Sequence, residues 1–259
     1  MKYFTSQALL LLLVFTGFSQ NPDQELKELR KTFSLENIDE LETEIDFPVG
    51  GLVMKSTSDN EIKGIFRFNE DRWESPEISY NEYDRRGELE IETDKKGQFK
   101  NYDDRDENIW GISLSKNVIH DLDIEMGAGK SKINMEGCKI KRFDFSMAAG
   151  EADINLRNTS VERLEFDAAV GAATIDLSGK WNNDLDAEIT GGIGEITLIL
   201  PAAAGVKLEI HGLLGGISVP GFRKNGKTYT NELYGKTKYS LYIDITGGIG
   251  DITIKTKDN

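Results

Sequence analysis

The chain has 259 residues, 38% of them hydrophobic, with 26 glycines against 5 prolines, a single cysteine and a formal net charge of −14. That length suffices for one large domain with a substantial core, and one cysteine excludes a disulfide scaffold. So acidic a protein is repelled by phosphate backbones and anionic lipid surfaces, which excludes nucleic acid as a natural partner.

Residues 1–19 carry the three parts of a secretory signal: Lys2, an apolar run from Ala8 to Phe15, and small residues at Gly17 and Ser19 before a cut. Export to the periplasm, the cell surface or the medium is the expectation. The apolar run is too short to span a bilayer, so no membrane span is expected in the mature chain. In the segment 20–40, Asn21-Pro22 followed by Leu26, Leu29 and Phe33 reads as a short capping helix: an N-cap, proline at the first helical position and one apolar stripe. Residues 41–108 contain alternating stretches (Leu41–Phe47, Gly51–Met54, Glu61–Phe68, Glu77–Tyr80, Glu88–Glu92) that read as irregular coils, and Asp94–Glu107 as a charged loop.

From 109 to 259 the chain repeats every 21 residues. Copies open at Leu122, Phe143, Leu164, Leu185 and Val206, and a sixth opens at Leu241, one period plus 14 residues after the fifth. Each copy holds an isoleucine eleven residues in: Ile133, Ile154, Ile175, Ile196, Ile217 and Ile252. A glycine column, Gly129, Gly150, Gly171, Gly192 and Gly248, separates two stretches of apolar–polar alternation, so each copy is a strand, a corner and a second strand. A weaker column of Ile119, Ile140 and Val161 suits a third side. Trp110–Leu114 sits one period before the first copy and reads as the preceding coil. The insertion 220–236, with Tyr229, Leu233 and Tyr234, could fold against the last coils.

Antiparallel hairpins would need tight Asn-Gly or Asp-Gly turns, which are missing between the paired strands, and give no reason for a fixed period. The expected fold is therefore all-β: a single-stranded parallel β-helix, or β-solenoid, with coils of about 21 residues.

Asp123, Asp144, Glu165 and Asp186 fall in one outward column, and Glu125, Asp167, Glu188 and Glu209 in the next. Like charges about 5 Å apart invite Ca²⁺ or a basic partner, but exposed carboxylates splay into water at little cost, and that reading is favoured. The two columns hold no lysine or arginine to serve as a base, so no lyase-type site is expected. Asn134, Asn155 and Asp176, then Thr197, Ser218 and Thr253, read as a hydrogen-bonding ladder. His120 and His211 are far apart and lack metal-ligand spacing, and no nucleophile elbow or phosphate loop is present. Trp73, Trp110, Trp181, Tyr80 and Tyr83 read as core or cap residues rather than a sugar-stacking surface. No catalytic residue, metal or cofactor is expected.

The repeated glycine turns followed by Ile-Thr-Leu, with Trp73, Glu77-Ile78-Ser79-Tyr80 and Gly221–Gly235 before the last copy, resemble the toast-rack and LiaF-like C-terminal domains of bacterial cell-wall-active antibiotic response proteins. The resemblance covers roughly Leu41 to the C-terminus. It implies a parallel β-solenoid without a catalytic motif, with some members in envelope-stress signalling. The expected function is a non-enzymatic, exported cell-envelope protein with a structural or stress-response role, its partner an envelope protein or glycan. The alternative is an extracellular adhesin-like or glycan-binding module.

Overall fold

The computed structural model describes residues 26–94, 107–212 and 214–257. The segment 1–19 expected to be a signal, Asn21-Pro22 and nearly all of the charged loop lie outside the described residues. Sixteen strands follow one another: β1 (Lys27–Ser34), β2 (Glu40–Thr57), β3 (Glu61–Phe68), β4 (Glu77–Tyr83), β5 (Arg86–Glu92), β6 (Asn108–Ser115), β7 (Ile119–Asn134), β8 (Lys139–Asn155), β9 (Arg163–Asp176), β10 (Leu185–Pro201), β11 (Gly205–His211), β12 (Ile217–Ser218), β13 (Arg223–Asn225), β14 (Thr228–Thr230), β15 (Ser240–Ile249) and β16 (Ile252–Lys257).

The fold is the parallel solenoid that the repeat implies. The long strands β2, β7, β8, β9 and β10 stack in parallel, and each bends at a glycine so that its two halves form two sides of one coil. At the bend, Gly150 has φ +144° and a Cβ on it would stand 1.9 Å from the carbonyl oxygen of Gly129 in the coil beneath. Only glycine tolerates both the dihedral and the approach.

Apolar residues from both sides meet in one core. Ile45, Ile124, Phe145, Phe166, Ile189, Ile245 and Ile210 form a row of buried neighbours on the first side, with the Phe145 and Phe166 rings stacked at 5.5 Å. On the second side Ile112, Met54, Ile133, Ile154, Ile175, Leu198 and Ile254 do the same. Each such side chain contributes about 1.5–3 kcal/mol by leaving water. The strand ends close with a recurring turn: Thr57, Ser115, Asn134, Asn155 and Asp176 each accept a hydrogen bond from the backbone N–H two residues on.

Several expectations are corrected. Residues 27–34 form a strand antiparallel to β3, not a helix. Leu29 and Phe33 are four apart, a spacing that satisfies a helix and a strand equally, and the free edge of β3 decides between them. The fourth copy is two residues out of register. Ala187, not Leu185, stands beside Leu164, and Gly194, not Gly192, lies over Gly171. The extra pair sits in the turn between β9 and β10, where it leaves the in–out alternation intact.

The asparagine ladder divides for the same reason. Asn134, Asn155 and Asp176 continue into Ile199, whereas Thr197, Ser218 and Thr253 belong to the row of Thr174. Along the first of these rows Asn155 Nδ2 donates to Asn134 Oδ1 at 3.1 Å. Ile119 is 37% exposed while its neighbour His120 is buried, so Ile119 lines no third side. Ile217 is 41% exposed, unlike the other five isoleucines of its column.

The coils are also not stacked in chain order. β15 and β16 lie between β10 and the pair β11/β12. At the other end β5 and β6 lie outside β2, so β2 separates Trp110–Leu114 from β7. Antiparallel strands close the ends: β4 on β5, β3 on β6 with β1 on β3, and the β13–β14 hairpin on β11, with Tyr229 buried beside Leu208. The insertion thus supplies the cover for the first side at that end.

Candidate functional site

The parallel register turns single residues into rows. Glu90, Glu44, Asp123, Asp144, Glu165, Glu188, Asp244 and Glu209 occupy one outward position on eight adjacent strands, an unbroken row of eight carboxylates. With neighbouring strands about 4.8 Å apart, the row runs for roughly 34 Å across the first side. The next outward row is Glu92, Asp46, Glu125, Ser146, Asp167, Thr190, Thr246 and His211.

The acidic columns read from the repeat are therefore regrouped. Asp123, Asp144 and Glu165 share a row as expected, and Glu125 shares one with Asp167. Asp186 instead stands beside Arg163, while Glu188 and Glu209 join the first row. The two-residue slip before β10 causes the exchange. Glu44 and Glu90 were beyond reach of the repeat because the period fades upstream of β7.

Crowding leaves its mark on ionisation. Partial desolvation, then repulsion from Asp144, Asp167, Glu188 and Asp123, pushes the Glu165 carboxyl above the ordinary carboxylate range. Asp144 is also raised by desolvation and by Asp123 and Asp121, against the pull of Arg142. Arg142 bridges Asp121 Oδ1 at 2.7 Å and Asp144 Oδ2 at 2.8 Å, a cation from the flanking row that the two columns did not show. At the far end a hydrogen bond from Lys207 holds Glu209 below its usual value.

The row also brings Glu209, His211 and Asp244 together, a grouping the spacing of the two histidines did not suggest. His211 Nε2 lies 3.8 Å from Glu209 Oε2 and 3.7 Å from Asp244 Oδ2. These atoms could in principle ligate one ion. However, Lys227 Nζ sits 3.3 Å from His211 Nδ1, and Lys207 Nζ 3.0 Å from Glu209. An ammonium donating to Nδ1 places the imidazole proton on Nε2, the atom a metal would need. Lys227 and Lys207 thus already occupy a ring nitrogen and a carboxylate that an ion would use. His120, by contrast, is fully buried, donates from Nε2 to the Ser115 carbonyl at 2.7 Å, and burial lowers its pKa to about 4.

The aromatic residues do not line the acidic face. Trp73 and Trp110 are buried, and Trp110 packs edge-on against Phe47 and Phe66. Tyr83 alone among the named aromatics is widely exposed, at 76%. Cys138 is buried and its thiol pKa is raised by desolvation, which makes it a poor nucleophile. Among the described residues no helix is long and apolar enough to cross a membrane.

Beside the acidic rows, where each strand bends, the surface drops into a groove of about 620 Å³ that crosses β2, β7, β8, β9 and β10. Its floor is small because Pro48, Gly127, Ala148, Ala169 and Gly192 occupy the last outward position before the bend.

Fold and surface together define a parallel β-solenoid of toast-rack type with an acidic face. The chain belongs to the family described as the N-terminal domain of toast_rack, DUF2154, which matches residues 21–162 and 143–199. Among solved structures it is similar to a "putative cell adhesion protein" from Clostridium sporogenes, with 29% identity and a TM-score of 0.69 over 90% of this chain and 100% of that one. A "putative adhesin" from Bacteroides fragilis matches 87% of this chain and 97% of its own at 11% identity and a TM-score of 0.30. One from Parabacteroides distasonis matches the same shares at 11% identity and a TM-score of 0.25. No curated protein matches the chain.

Proposed function

We propose that the protein is an exported, non-enzymatic contact protein of the adhesin type, working at the cell surface. The likeness to the Clostridium sporogenes protein, at 29% identity across that whole chain, carries this reading. The geometry is consistent with it. Eight parallel strands present rows of fixed charge on a rigid face, and a rigid face loses little entropy on contact. The one histidine among the acidic rows is engaged with Lys227 and two carboxylates rather than poised as a base.

Protease treatment of intact cells, followed by detection of the protein with an antibody, tests the location: the expected result is digestion without lysis. A deletion strain is expected to lose attachment to a glycan- or protein-coated surface and to keep its tolerance of wall-targeting antibiotics. The resemblance to LiaF-like domains, some of whose members take part in envelope-stress signalling, supports a second reading, an envelope-stress role. Unchanged attachment with lost antibiotic tolerance supports that second role and overturns the first.

A further inference from the structure

Where the chain passes from one coil to the next, three connecting segments meet around a cleft of about 300 Å³. Lys180 and Trp181 come from the link between β9 and β10, Ala203 from the link between β10 and β11, and Thr237, Lys238 and Tyr239 from the link into β15. The volume is at the lower end for small-ligand sites and suits a sugar ring.

Charge sets this cleft apart. No carboxylate lines it, whereas Asp46, Glu125 and Asp167 line the groove at the bend. Two lysines do line it, and among the described residues neither ammonium has a carboxylate partner. Asp184, in the same link as Trp181, accepts instead from the Ser240 N–H at 2.7 Å. The segment 221–240, which brings in Lys238, holds five lysines and arginines against Glu232 alone, in a chain of net −14. The aromatic faces are also fixed in place. Trp181, expected as a core or cap residue, is half-buried, and its Nε1 donates to the Leu177 carbonyl at 2.9 Å. Tyr239 is half-buried with Lys238 Nζ 4.7 Å from the centre of its ring. Thr237 Oγ1 accepts from the Gly205 N–H at 2.9 Å and donates to the Tyr239 carbonyl at 2.8 Å, which pins the link into β15. A site so held loses little entropy on binding.

We infer that this cleft binds an acidic saccharide, a sugar ring carrying a carboxylate. The negative faces of the indole and phenol rings attract the polarised C–H bonds on one side of a pyranose. Lys180 and Lys238 donate to its carboxylate, a charge-assisted pairing. A neutral glycan matches the rings and leaves the lysines unused. An acidic peptide matches the lysines and leaves two flat faces without a ring to cover them. The inference deepens the contact reading above by naming a ligand class, and rests on it for the class of protein, not for its location.

The test is titration calorimetry of the purified protein with tetragalacturonate, a hyaluronan tetrasaccharide and sialyllactose, each beside its methyl ester. At least one acid is expected to bind about tenfold more tightly than its ester and than tetraglutamate. The same sugar should change the tryptophan emission, because Trp73 and Trp110 are buried and Trp181 faces the cleft. Lys180→Gln with Lys238→Gln should weaken binding about tenfold and abolish the preference for acid over ester. The melting temperature should stay unchanged, since both side chains are exposed. Tyr239→Leu should weaken acid and ester alike. Lys130→Gln with Lys132→Gln, exposed lysines of β7, should leave binding as it is. An equal loss there makes the attraction one of overall charge and overturns the inference. So does failure of all three acids to bind, equal binding of the esters, or tighter binding of tetraglutamate, which would make an acidic peptide the occupant. Failed sugar binding with surface attachment intact removes the cleft alone. Sugar binding without surface attachment removes the adhesion reading alone.

Discussion

The carbonyl of Gly129 occupies the space in which a Cβ on Gly150 would have to stand, 1.9 Å away. The same relation recurs from coil to coil, Gly171 over Gly150 and Gly194 over Gly171. Gly150→Ala therefore forces the coils apart as well as straining a φ of +144°. A loss of at least about 3 kcal/mol in denaturant unfolding is expected. Gly226→Ala is the control: φ is +63° but nothing lies within 4 Å, so the cost is about 1 kcal/mol.

Inside and outside are tested by a second pair. Ile175 is fully buried, and Ile175→Asp places an unpaired charge in the core, which abolishes folding. Asp167 stands on the outward acidic row, and Asp167→Asn changes stability by no more than about 0.5 kcal/mol. Circular dichroism and thermal melts of the two variants check this.

These two predictions use what the sequence showed openly. Alternation gave the strands, the recurring isoleucines gave the core, and the glycines gave the corners. A two-residue slip remained invisible because it moves a strand without changing which face any residue occupies. Coil order was equally hidden, since each copy offers the same rows to its neighbours and nothing local states whether β11 or β15 follows β10. The helix expected at Leu29 and Phe33 failed at a spacing that two periods share. Much of the acidic row was legible by column, but its full length appears only when Glu44 and Glu90 are brought into register by β2 and β5.

His120 sets the response to acid. Its folded-state pKa, about 4, lies below the ordinary 6.5, so the unfolded chain binds the proton more readily. The stability it supports is complete above pH 6.5 and is lost as pH falls toward 4, by at most about 3 kcal/mol. Glu165 and Asp144 act in the opposite sense: their raised pKa values mean that protonation relieves repulsion in the folded state. A His120→Leu variant that keeps the fold should lose the fall between pH 6.5 and 4 in urea midpoints.

The acidic row should respond to screening rather than to a particular ion. Raising NaCl from 10 to 200 mM is expected to raise the melting temperature, and CaCl₂ at matched ionic strength to add nothing further. Glu165→Gln should raise it by about 1–3 °C at pH 7, because it removes a charge repelled by its neighbours. Scanning calorimetry reads all three.

Deleting residues 240–259 removes β15 and β16, and β15 is the strand that pairs with both β10 and β11. Loss of cooperative unfolding for β11–β14 is expected, visible as rapid amide exchange at Leu208 and Tyr229 while β7–β9 stay protected.

The out-of-sequence placement of those last strands has a consequence for how the protein is made. A chain emerging from the ribosome can stack β7 to β10 as they appear, but β11 arrives with a vacant berth beside it. The berth is filled only when β15 has followed it out. Completion of the solenoid thus waits for β15 and β16, which serve as its keystone.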